Sequence, residues 1–167
     1  MLPFYLSGSI DSLTNAFFET MSGFTTTGAT ILDDIESLSH GMLFWRSLTQ
    51  WIGGLGIVFF TIAVLPVFTS GGVQLFSAES TGVTHDRTHP KINVMAKWLW
   101  TVYLILTLAE TILLMLGGMS LFDAVCQSFA TTATGGYSTK QASISYWNSP
   151  FIEYVVAIFM LLSGVNF

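Results

Sequence analysis

The sequence predicts an all-α membrane protein made of a repeated unit: short helix, Thr/Gly loop, spanning helix. Three observations carry this reading. The composition is poor in charge, two apolar segments are long enough to cross a bilayer, and the loop sequences repeat along the chain.

The chain has 167 residues, 51% of them hydrophobic and 9% charged, with a mean hydropathy of +0.64. Soluble domains carry about 25% charged residues. A chain this apolar cannot cover a water-facing surface of ordinary polarity, so lipid is the expected solvent. The net charge of −5 argues against a nucleic-acid partner, because phosphate binding needs a basic surface. Cys126 is the sole cysteine, which excludes a disulfide within the chain.

The first long apolar segment runs from about Met42 to Phe68, with Arg46 as its only charge. The second runs from about Val94 to Met119, with Lys97 near its start and Glu110 inside it. Crossing the hydrocarbon core takes about 20 apolar residues, and a helix satisfies all backbone groups internally. Pro66 falls near the end of the first span, where a helix tolerates it. Trp45, Trp51, Trp98, Trp100 and Trp147 lie near segment ends, as expected for interfacial belts.

The connection Thr69–Asn93 carries Arg87 and Lys91, while the flanking segments carry Asp11, Asp33, Asp34 and Glu36 against Lys140. The positive-inside rule therefore places this connection in the cytoplasm and the stretches around Gly28 and Gly136 outside. Ser12–Phe24 and Leu121–Ala133 are apolar and aromatic but too short to span, a length that fits re-entrant segments. At the ends, Met1–Leu6 lacks a basic stretch and is broken by Pro3, unlike a signal peptide. Ser149-Pro150 opens an apolar segment that stops at Phe167, short of a full span. The chain is therefore expected to be a piece of a longer protein.

The two short segments superimpose without a gap. Asn15–Ser22 lies over Asp123–Ala130, and Thr27-Gly28-Ala29-Thr30 lies over Gly135-Gly136-Tyr137-Ser138. Each cluster is followed by a polar loop and an apolar span, the arrangement of internal repeats in transport proteins. Non-helical backbone at membrane depth must be buried or line a water-filled cavity. A Thr/Gly loop offers closely spaced carbonyl and hydroxyl oxygens, and glycine permits the torsions that turn carbonyls toward one axis. Such oxygens can replace the hydration shell of a monovalent cation. The preceding helix points its negative end at that ion. No carboxylate is required, which suits potassium better than calcium or magnesium.

The run Phe17–Thr30 closely resembles the first pore loop of bacterial potassium uptake proteins of the Trk/Ktr type. Gln50–Ile57 resembles the helix that follows it in that family, and Ser128–Thr139 its second pore loop. The closing Leu162–Phe167 also fits. The resemblance implies four helix–pore loop–helix units around one potassium pathway, a potassium-channel-like architecture in the bacterial inner membrane. It further implies a homodimer and a cytoplasmic nucleotide-binding regulatory subunit, with potassium transported and no organic cofactor. This chain then holds the end of unit one (1–70), a cytoplasmic loop (71–92) and most of unit two (93–167). Carried over residue by residue, the filter positions are Thr26, Thr27 and Gly28, then Thr134, Gly135 and Gly136. Either Gly135 or Gly136 matches Gly28, and the ungapped register favours Gly136. Half a ring of oxygens is expected not to conduct by itself.

Other residues weigh less. His85 and His89 have a helical metal-ligand spacing, but Pro90 follows directly and a solvated loop is expected. Glu110, inside a span, is a functional candidate by position, set against a packed carboxyl that is paired or protonated. Glu19 lies in a pore helix, where it can orient the loop through hydrogen bonds. Cys126 aligns with Phe18 and reads as packing. An intramembrane enzyme would need a catalytic pair within the spans. Glu110 has no such partner, and the histidines lie outside the spans or at their margin, so no enzyme is expected. A non-conducting membrane subunit or scaffold is the other alternative.

Overall fold

Ser12 and Ser120 open the two helices around which the chain is organised. The structure, a computed structural model, describes residues 1–56 and 88–164, with the backbone alone over 88–96. The described elements are α1 (Leu2–Leu6), α2 (Leu13–Phe24), α3 (40–56), α4 (Thr88–Leu116), α5 (Leu121–Thr132), a 3₁₀ turn (Ser143–Trp147) and α6 (Pro150–Gly164). Among the described residues there is no strand.

The caps explain where the elements start and stop. Ser120 accepts the Asp123 N–H at 3.1 Å and donates its hydroxyl to Asp123 Oδ2 at 2.8 Å, a reciprocal N-cap that satisfies a donor with no helical partner. Pro3 does not break the N-terminal run but sits in the first turn of α1, since a first-turn N–H has no helical acceptor to lose. α4 is described from Thr88, upstream of the Val94 expected from hydropathy, with Pro90 close to that end. It ends in a Schellman motif: Gly118 has φ +100, its N–H donates to Met115 O, and the Met119 N–H donates to Leu114 O.

Two apolar clusters hold the elements together. Leu114, Met119, Ala124, Ile152, Val156 and Phe159 join α4, α5 and α6. Phe4, Ile10, Ala16 and Met42 join α1, α2 and α3. Between them, Trp51 of α3 stacks on Phe129 at 5.1 Å and donates its indole N–H to Thr107 at 3.1 Å. Trp51 is thus an internal packing residue and not part of an interfacial belt.

Lys97–Leu116 is long and apolar enough to cross a membrane, and only 22% of its most apolar window is buried. That outward apolar surface separates it from the core helix of a soluble protein. Pro150–Gly164 is a shorter apolar helix. The expected first span is seen as α3 up to residue 56. Its remainder to Phe68, the connection with His85 and Arg87, the side chains of His89 and Lys91, and Val165–Phe167 lie outside the described residues.

Candidate functional site

Both short helices end in the same way. In α2 the Thr26 N–H donates to Gly23 O and the Thr27 N–H to Ser22 O. In α5 the Thr134 N–H donates to Thr131 O and the Gly135 N–H to Ala130 O. These are Schellman closures, whose residue after the cap takes a left-handed conformation and is usually glycine. Here it is threonine twice, Thr26 at φ 55 and Thr134 at φ 54. A β-branched residue at positive φ is an outlier, costing of order 1–3 kcal/mol, and such strain clusters at functional sites. Two residues on, Gly28 has φ +75 and Gly136 has φ +100. Threonine and glycine therefore match pairwise at one spacing, Thr26 with Thr134 and Gly28 with Gly136. The backbone pairs Gly28 with Gly136, as the ungapped register expects.

The two loops touch. A Cβ on Gly28 would collide with the Gly135 carbonyl oxygen. A Cβ on Gly135 would collide with the side-chain amide of Gln50, whose Oε1 accepts the Tyr137 N–H at 3.1 Å. Gln50 thus fills the space behind the second loop. α3 comes equally close to the first pore helix, since a Cβ on Gly53 would strike the Phe24 carbonyl. The Gly-Gly pair after Gln50 and Trp51 is what lets α3 approach both pore-helix ends.

A buried polar network lies behind the loops. Glu19 of α2 and Arg46 of α3 form an ion pair at 2.7 Å, with side chains 0% and 1% exposed. Glu19 also accepts the Thr30 hydroxyl at 3.0 Å and the Ile31 N–H at 3.2 Å, holding the exit of the first loop. Arg46 donates through Nη1 to Ser138 O at 3.3 Å and lies 3.9 Å over the Tyr137 ring. Tyr137 closes the circuit by donating its hydroxyl to Glu19 O at 2.9 Å. In the second unit the Thr139 hydroxyl returns to Asp123 Oδ1 at 2.6 Å, tying the loop exit to the start of its pore helix.

Comparison with known proteins decides the family. The chain matches the TrkH profile, described as a cation transport protein, over residues 2–167. The chain belongs to the TrkH family. It is 48% identical to the Trk system potassium uptake protein TrkH of Escherichia coli K12, across 99% of this chain and 35% of that protein. It is 42% identical to TrkG of the same organism, across 92% of this chain and 32% of that one. Among solved structures, the crystal structure of the potassium transporter TrkH from Vibrio parahaemolyticus matches with a TM-score of 0.77 and 41% identity. That match covers 93% of this chain and 30% of the other. The chain thus spans about a third of the length of the curated relatives it matches. The fold is that of a TrkH-type membrane protein with pore-helix repeats.

Thr26, Thr27 and Gly28 form one continuous stretch at the end of α2, and Thr134, Gly135 and Gly136 form its counterpart after α5. Thr27, Thr134 and Gly136 are exposed, so each loop has an open side. Glu19 orients its loop as its position suggested, and Cys126 is fully buried packing. Arg46, Gln50 and Tyr137 are missing from the residues proposed by sequence. Arg46 carried a readable signal, because a lone arginine in an apolar segment needs a buried partner.

Proposed function

We propose that this chain contributes two adjacent quarters of a potassium pathway in a Trk-type uptake subunit of the bacterial inner membrane. Thr26, Thr27 and Gly28 supply oxygens from one loop, and Thr134, Gly135 and Gly136 supply them from the other. The observation that carries the reading is the repeated left-handed pair, Thr26 with Gly28 and Thr134 with Gly136, at the ends of two short helices. Alternating left-handed residues turn successive carbonyls to one side, and such oxygens replace a potassium ion's water shell. The one carboxylate of the first pore helix, Glu19, is neutralised by Arg46 and turned away into the network, which leaves the loop itself to neutral oxygens. The open sides of the loops would face the remaining units of the complete subunit.

In this reading potassium is cargo, no organic cofactor takes part, and the protein is a transporter and not an enzyme. The connection around residues 71–92 is cytoplasmic. The complete protein works as a homodimer with a cytoplasmic nucleotide-binding regulatory subunit. The test is Gly28→Ser and Gly136→Ser in the complete polypeptide, reconstituted in liposomes and assayed for potassium and sodium uptake. Each substitution is expected to lower the potassium-over-sodium ratio. An unchanged ratio in both rejects the filter assignment.

A further inference from the structure

The potassium pathway leaves one buried acid unused. Glu110 lies in the apolar stretch Lys97–Leu116 of α4 and is 0% exposed, yet neither carboxyl oxygen has a hydrogen-bond partner. It is sealed within the residues of this chain. A bare carboxylate in such a place is strongly disfavoured, and the group neutralises instead.

The hydroxyls around it are tied to other groups. Thr131 and Thr132 lie near it in the last turn of α5 without a hydrogen bond to it, and they accept from Gln127 Nε2 at 3.5 Å and from the Thr107 hydroxyl at 3.4 Å. Thr131 gives its hydrogen to Gln127 O at 2.9 Å. On α4 itself, Thr107 donates to Tyr103 O at 2.9 Å and Thr111 to Thr107 O at 2.8 Å. The negative end of α5 also lies on this side, where an anion is unfavourable and a cation favourable. Charged groups on the packed elements are engaged elsewhere. Arg46 of α3 is held by Glu19 and Ser138, and Asp123 of α5 by Ser120 and Thr139. His40 of α3 and Glu153 of α6 are exposed.

We propose that Glu110 is a proton-binding site: a carboxylic acid that keeps its proton beside the threonines at the end of the second pore helix. The ligand is one proton, held where the α5 helix leads into the second loop. Losing it would set a negative charge against the carbonyl end of that helix, so proton occupancy is tied to the seat of the loop.

Infrared difference spectroscopy of the complete polypeptide in lipid at neutral pH tests this. Wild type is expected to show the carbonyl stretch of a protonated carboxylic acid, shifted in heavy water and lost in Glu110→Gln. Glu110→Asp keeps an acid band at a changed frequency, which covers the case in which Glu110→Gln does not fold. Exchange of potassium for sodium or lithium is expected to leave the band in place. The proposal is overturned if no acid band depends on residue 110. It is equally overturned if Glu110→Gln removes carboxylate stretches that move with the metal ion, since a monovalent metal would then occupy the site.

Discussion

Glu19 and Arg46 meet at 2.7 Å with both side chains buried, and the pair serves both loops at once. Glu19 gathers Thr30 and Ile31 after the first loop, while Arg46 reaches Ser138 and the Tyr137 ring after the second. Among the described residues the pair occurs once. At the repeat spacing, Glu19 corresponds to the neutral Gln127 and Arg46 to the exposed Tyr154. A single buried ion pair therefore registers one pore loop against the other, which two symmetric pairs, each within its own unit, would not do.

Breaking that pair from one side strands a buried charge. Glu19→Gln or Arg46→Met is expected to destabilise the complete protein by about 3–5 kcal/mol. The double variant Glu19→Gln/Arg46→Met is expected to recover a large part of that loss, since no charge is left unpaired. Thermal unfolding in detergent reads all three, and a double variant as unstable as the sum of the singles refutes the coupling.

Tyr137 separates the hydrogen bond from the aromatic face. Tyr137→Phe removes the donor to Glu19 O but keeps the ring under Arg46, and about 1 kcal/mol is the expected loss. Tyr137→Leu also removes the cation–π contact, worth about 2 kcal/mol when desolvated. The same unfolding assay should rank Leu well below Phe. Equal effects would mean that the ring contact contributes nothing.

The pore helices were legible because their signals are local. Ser12 and Ser120 mark their starts, apolar residues fill them, and Thr/Gly clusters end them, all within a window of a few turns. The start of α4 was less legible, since hydropathy alone does not register a helix entering through the polar Thr88-His89-Pro90. Trp51 was misplaced because a tryptophan near a segment end looks the same whether it meets lipid or, as here, Phe129. The network behind the loops could not be read at all as a network. Tyr137 and Glu19 are 118 residues apart, and no periodicity connects them. The threonines were visible as loop residues, but their left-handed torsions were not, because composition points to glycine for that conformation.

Cys126 gives a test of packing that needs no functional assay. It is 0% exposed at the heart of α5, and it is the only thiol in the chain. A maleimide should leave it unmodified in the folded complete protein and label it on denaturation, read by mass spectrometry of the peptide that contains it. Rapid labelling under native conditions would show that α5 is not packed as described.

Thr26 and Thr134 bear on stability and selectivity in opposite directions. Each holds a left-handed torsion that glycine would adopt freely. Relief of about 1–2 kcal/mol is available from the torsion, less the entropy glycine adds to the unfolded chain. Thr26→Gly and Thr134→Gly are therefore each expected to raise stability by about 1 kcal/mol. The same changes remove a hydroxyl and loosen the backbone that aims the carbonyls, so the potassium-over-sodium uptake ratio should fall. A filter role predicts both effects together, whereas a purely structural threonine predicts the first alone. Loss of stability in both variants would mean that the threonine side chains contribute contacts outweighing the strain. A preserved uptake ratio would take the strained threonines out of the ion path.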